Sequence, residues 1–189
     1  METKNIMIVG VGGQGTLLAS RILGNACLSE GYDVKLSEVH GMSQRGGSVV
    51  TYVRYGSEVH SPIIEKGGAD IILAFELLEA QRALPYLKNG GRMIVNSQEI
   101  APMPVITGAC AYPQGLNEKL CKEADAIVVD AANIAKKAGN IKAVNVVLIG
   151  VMAKNTDIPK EVWLDTVRKT VPEKFLEVNL KAFEAGYAL

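Results

Sequence analysis

The chain has 189 residues, is 48% hydrophobic and carries balanced charge, 20 basic against 20 acidic residues, with a mean hydropathy of +0.16. That length and apolar content allow one domain with a sizeable core, while the charge balance leaves no electrostatic footprint for nucleic acid or a membrane surface. Cys27, Cys110 and Cys121 stand far apart with no C-x-x-C pair, so this chain supplies neither a zinc knuckle nor four ligands for an iron–sulfur cluster.

The spacing predicts three buried or half-buried thiols in a reducing compartment. The N-terminus enters the first strand without a basic and then apolar signal segment. The longest apolar stretch, Val144 to Ala153, is interrupted by Asn145 and is too short to span a bilayer. A cytoplasmic protein is expected.

Asn5 to Gly10 is an apolar run of strand length, followed by Val11-Gly12-Gly13-Gln14-Gly15-Thr16 and then helical periodicity through Leu17, Leu18, Ile22, Leu23, Ala26 and Cys27 to Gly31. Strand, glycine turn and helix open a βαβ unit. Gly10, Gly12 and Gly15 match G-x-G-x-x-G in register, and Gly13 adds a fourth glycine. Such a turn presents unpaired amides and the positive end of a helix dipole to an anion. The plainer reading is a tight turn that packs the helix on the sheet and binds nothing. An NAD site also requires an acidic residue at the end of the second strand; Asp33 has the spacing but opens that strand, and Glu38 lies later.

Asp33 to Val39 alternates as a second strand whose exit is expected near the glycine turn. That exit carries Glu38-Val-His40-Gly-Met-Ser43-Gln44-Arg45-Gly46-Gly47-Ser48, a loop rich in imidazole, guanidinium, amide and hydroxyl groups, of the kind used for recognition. Arg45 is suited to a phosphate or carboxylate. The alternative is a turn at Gly46-Gly47 with a solvated Arg45. His40 is a candidate proton donor, against the common case of a hydrogen-bonded structural histidine.

Strand Val49–Tyr55 follows, then a hairpin turn with a short return strand to Pro62, in which His60 has no assigned role. A buried strand runs from Ala69 to Phe75, and a helix from Phe75 to Leu87 breaks at Pro85. Glu76, at the strand-to-helix junction, is a site candidate or simply a carboxylate favoured at a helix N-terminus. Strand Arg92–Asn96, an edge strand over Pro102–Tyr112, a helix over Pro113–Lys122, strand Ala126–Asp130 and a helix over Ala131–Lys137 complete the alternation. Beyond Gly139 the β signal stops. Ala143–Lys154, Pro159–Val171 and Glu173–Ala188 read as three helices whose Met152, Trp163, Val167, Phe175, Leu176 and Phe183 form core or a docking face.

The expected fold is α/β: a Rossmann-like, open, mostly parallel sheet with flanking helices, one domain over 1–189, with 143–189 a helical extension packed on it. Both motifs, Gly10-Val-Gly-Gly-Gln-Gly-Thr16 and Glu38 to Ser48, with Ser61-Pro62 and the Asp70–Glu79 strand-helix unit, resemble the gamma-type subunits or domains of the 2-oxoacid:ferredoxin oxidoreductases over nearly the whole chain. The Glu-Val-His-Gly form of the second motif points to the indolepyruvate branch.

The resemblance implies an enzyme of two chains that oxidatively decarboxylates an aryl pyruvate with coenzyme A, giving acyl-CoA, carbon dioxide and reduced ferredoxin. Thiamine diphosphate, magnesium and the iron–sulfur clusters would lie on the larger partner subunit, and this chain would be inactive alone; apart from the resemblance, its apolar C-terminal helices, left unused without a partner, would let it pair with itself as a homodimer in isolation. It would cover the active site and help hold coenzyme A through Gly10, Gly12, Gly13, Gln14, Gly15 and Thr16, with Gln14 as a side-chain donor and Ser43, Gln44, Arg45, Gly46 and Gly47 approaching the same ligand or the partner's active site. Two other readings stand beside it: a free-standing NAD- or FAD-dependent oxidoreductase, and a docking subunit without ligand.

Overall fold

A computed structural model of the chain describes residues 2–41 and 46–189. Its strands are β1 (Lys4–Val11), β2 (Asp33–His40), β3 (Ser48–Gly56), β4 (Ala69–Ala74), β5 (Leu87–Asn96) and β6 (Asp125–Val129). From Ile6 onward every residue of β1 is buried, as befits a strand covered on both faces. It lies inside a single open sheet of order β2-β3-β1-β4-β5-β6.

The pairs β1–β4, β4–β5 and β5–β6 are parallel, whereas β3 runs antiparallel to both β1 and β2. The sheet is therefore mostly parallel, but β1 and β2 are not neighbours. Their carboxyl ends share one edge of the sheet with those of β4, β5 and β6 and with the start of β3. The two motifs sit on that edge.

Alternate residues of β1 face opposite sides. Ile6 and Ile8 join Val53, Leu73 and Ile94 in a core completed by α1 (Thr16–Ser29), α5 (Ala131–Ala138), α6 (Val144–Ala153), α7 (Lys160–Thr170) and α8 (Leu176–Tyr187). Met7 and Val9 join Ile72, Met93 and Val95 against α2 (Leu77–Ala83) and α4 (Leu116–Glu123). Nine of the ten residues of α6 are buried, so a helix apolar all round lies within the domain's core. No described helix is long and apolar enough to cross a membrane.

Contact between α6 and α8 depends on two missing side chains. A Cβ on Gly186 would lie 2.1 Å from the Val147 carbonyl oxygen, and one on Gly150 2.3 Å from that of Phe183.

Three sequence expectations are corrected. Residues 57–68 form no return strand: Asp33 accepts from Val59 N and the Arg54 guanidinium donates to the carbonyls of Ser61 and Ile63, so side chains satisfy this backbone instead of a ladder. Pro102–Tyr112 is not an edge strand. It holds the short helix α3 (Met103–Ile106), with proline in the first turn and Gly108 at φ 76°, and β6 takes the sheet edge. Of the thiols, only Cys27 is buried; Cys110 and Cys121 are exposed. Burial pushes the Cys27 thiol up to about 12, so at pH 8 N-ethylmaleimide is expected to label Cys110 and Cys121 of the native chain and to spare Cys27, as peptide mass mapping would read.

Two glycine-to-alanine changes should have opposite signs. Gly24 lies inside α1 with open space at its Cβ position, and Gly24→Ala should stabilise by up to ~1 kcal/mol. Gly186→Ala, clashing with backbone, should destabilise by about 1–3 kcal/mol or more. Urea unfolding of both variants checks the pair.

Candidate functional site

The turn between β1 and α1 is shaped by its own packing. Gly13 and Gly15 have φ of 101° and 84°, a region open to glycine and strained for other residues. A Cβ on Gly15 would lie 2.7 Å from Asn145 Nδ2, which donates to the Gly15 carbonyl at 3.4 Å. A Cβ on Gly10 would lie 2.9 Å from Gln14 Oε1 and 3.0 Å from Phe75 Cβ.

Gln14 fills the room that Gly10 leaves. Its Oε1 accepts from Val11 N at 2.7 Å, and its Nε2 donates to the Phe75 carbonyl at 3.0 Å and to Gln98 Oε1 at 3.1 Å. Both amide hydrogens thus have protein acceptors. The expected side-chain donor to a ligand is a brace between the ends of three strands.

The backbone donors divide in the same way. Gly12 N donates to Gly47 O at 2.8 Å and Gln14 N to Val11 O at 3.2 Å, while Gly46 N donates to Gly12 O at 3.3 Å. Among the described residues no partner engages the amides of Gly13 and Gly15, which stand at the N-terminus of the 14-residue α1. That end carries the helix's positive partial charge and is suited to an anion. Thr16 is buried at the first helical position, with its methyl carbon 3.2 Å from the Gly10 Cβ position.

Gly46 and Gly47 thus meet the glycine turn, although β3 separates the strands that carry the two motifs. Ser43, Gln44 and Arg45 lie outside the described residues. His40 is exposed at the end of β2, with Nδ1 3.3 Å from the Gly41 carbonyl.

Placement of β3 also bears on the dinucleotide reading. In a dinucleotide fold the acidic residue ends the strand beside β1. Here β2 lies two strand spacings away, about 10 Å. Asp33 sits at the opposite edge, bound to Val59 N and Lys35, and Glu38 accepts from Thr51 at 3.4 Å. Neither is placed for a ribose held at Gly13 and Gly15.

Glu76 and Glu79, 1% and 5% exposed, complete the edge. Glu76 Oε2 caps α2 by accepting from Glu79 N at 2.8 Å, and its Oε1 accepts from Ile100 N at 3.0 Å and from the Tyr112 hydroxyl. Burial first, then the Glu76 carboxylate, push the Tyr112 phenol up. Glu79 accepts from Ser48 Oγ and from Arg82, both at 2.6 Å. Of these Glu76 stands out in the sequence as a site candidate, and Ser48 and Glu79 only as the ends of two longer stretches; their pairing, with Gln98 and Tyr112, is brought in by folding. Asn145 has a local signal, as the one amide that interrupts the longest apolar run.

A mostly parallel open sheet thus carries a glycine turn joined to a second glycine loop at its carboxyl edge. The family model for pyruvate ferredoxin/flavodoxin oxidoreductase matches residues 5–189, and the chain belongs to that family, as a subunit of an oxidoreductase acting on 2-oxoacids with ferredoxin.

Within the family it is 44% identical to the indolepyruvate oxidoreductase subunit IorB of Thermococcus kodakarensis, over 98% of this chain and 95% of that one. The same subunit of Pyrococcus horikoshii is 43% identical with the same coverage. Among solved structures, the gamma subunit of the keto/oxoacid ferredoxin oxidoreductase of Geobacter sulfurreducens superposes with a TM-score of 0.73 at 26% identity, over 98% of this chain and 96% of that one.

A brace and a ligand donor differ in what their loss does to the protein alone. Gln14→Ala should lower stability by about 1–3 kcal/mol, because it strips partners from the Val11 amide and Gln98. Urea unfolding of the isolated chain measures it; a change under ~0.3 kcal/mol would return Gln14 to the ligand.

Proposed function

We propose that this chain is the small subunit of an enzyme that oxidatively decarboxylates indolepyruvate or a related aryl pyruvate. In the net reaction the oxoacid loses carbon dioxide, its acyl carbon forms a thioester bond with the coenzyme A sulfur, and the electron pair released passes to ferredoxin with loss of the thiol proton. Thiamine diphosphate, which stabilises the carbanion left by decarboxylation, belongs on this reading to the larger subunit with its magnesium and the iron–sulfur clusters. The three cysteines of this chain, on α1, after α3 and on α4, supply no ready cluster cradle.

The role of this chain is to close over the reacting centre and to hold part of coenzyme A. The observation that carries the reading is the pair of amides at Gly13 and Gly15, without partners among the described residues and next to the start of α1. They would donate to the diphosphate oxygens, and hydrogen bonds to a charged group are worth about 1.5–3 kcal/mol each. Gly46 and Gly47 fix the base of the second motif beside this turn, which would bring Ser43, Gln44 and Arg45 to the same ligand or to the larger subunit's active site. Covering the centre excludes water and strengthens the electrostatics within.

Hydrogen exchange on the anaerobically co-purified complex of the two subunits tests this. Addition of coenzyme A should slow exchange at residues 12–17 and 38–48. Unchanged exchange throughout this chain, with coenzyme A turned over normally, would leave it a docking subunit.

A further inference from the structure

Glu79 is buried on α2, its charge partner Arg82 is half exposed, and neither takes part in the coenzyme A contacts assigned above. Side-chain burial is 53% exposed for Arg82 against 6% for Glu79. A buried carboxylate is retained at a desolvation cost unless its oxygens are well partnered. Here one oxygen takes the Arg82 guanidinium and the other takes the hydroxyl of Ser48, the first residue of β3.

Ser48 follows directly on Gly46 and Gly47, which exchange hydrogen bonds with Gly12. One turn earlier on the same helix, Glu76 holds both ends of the segment from Ile100 to Tyr112 and caps α2 through Glu79 N. Two carboxylates, at the N-cap and in the first turn of α2, therefore anchor the segment from Ile100 to Tyr112 and the start of β3.

We infer that Glu79 is a positioning residue for the coenzyme A site: through Ser48 it sets Gly46 and Gly47 against Gly12, and so fixes these two residues relative to the amides of Gly13 and Gly15. This rests on the reading that coenzyme A is held there. The pairing with Ser48 spans residues far apart in sequence and joins α2 to the mouth of β3. Ser48 is already the register partner of Val11 at the end of the β1–β3 pairing, and its side chain adds a tie from that point to α2.

The test is steady-state kinetics of the two-subunit complex with indolepyruvate and varied coenzyme A. Ser48→Ala should raise KM for coenzyme A about tenfold with kcat little changed, the pattern of lost ground-state and transition-state binding in equal measure, beside the lower melting temperature that follows when an oxygen of a buried carboxylate loses its donor. Ser48→Thr, which keeps the hydroxyl, should restore KM to within about twofold. Glu79→Ala should raise KM similarly and add nothing in the Ser48→Ala background, because the two act as one unit.

Leu17→Glu, in the exposed first turn of α1, places a negative charge beside the amides of Gly13 and Gly15 and reports on the site itself. If Leu17→Glu raises KM for coenzyme A and Ser48→Ala does not, or if Ser48→Thr behaves like Ser48→Ala, the positioning role is wrong and the coenzyme A site stands. If neither Leu17→Glu nor Ser48→Ala moves KM, the site at the glycine turn is wrong and the positioning role falls with it.

Discussion

The carboxamide of Gln14 is the joint on which the carboxyl edge of the sheet depends. It ties the end of β1 at Val11 to Phe75 after β4 and to Gln98 after β5, and it reaches them because Gly10 has no Cβ to stand in its way. The glycine pattern is thus largely a record of internal packing. Gly10 makes room for Gln14, Gly15 makes room for Asn145, and of the glycines at φ > 0 in this turn only Gly13 faces open space. A turn held by its own side chains before any ligand arrives presents its remaining amides without an ordering cost.

The polar groups around that turn divide into scaffolding and display. Gln14, Asn96, Glu76 and Glu79 are engaged with protein partners, while the amides of Gly13 and Gly15, without partners among the described residues, belong to backbone at a helix start. The division explains why the edge tolerates buried carboxylates: each oxygen of Glu76 and Glu79 has at least one donor, which removes the penalty of an unpaired charge.

Elements with strong local periodicity were legible in the sequence. β1, α1 and the three C-terminal helices have apolar patterns long enough to decide their type, and the end of the β signal after Gly139 agrees with β6 as the last strand. The insertion of β3 between β1 and β2 was not legible, because strand order is decided by long-range pairing and not by the pattern of any one strand. Pro102–Tyr112 misled because its prolines are compatible with both an edge strand and a helix start. Residues 57–68 misled because Asp33 and Arg54 satisfy backbone groups that a strand would otherwise pair. The glycine turn and its link to the second motif could be read; the use of Gln14 could not, since its acceptors at Phe75 and Gln98 become neighbours only in the folded sheet. Glu79 gave no signal of its own, because a glutamate in the first turn of a helix is ordinary.

The burial of α6 beneath α8 sets an order on how this molecule comes into being. Ile6 and Ile8 are synthesised well before Val144, yet the face they occupy is completed by helices from Val144 onward. At ribosomal rates of about 5–20 residues per second, that face waits on the order of ten seconds for its cover. The newborn chain passes through a stage in which one side of its sheet is dressed by α2 and α4 and the other is bare except for α1 and α5, and the length of that stage is written into the chain itself rather than into the supply of any partner.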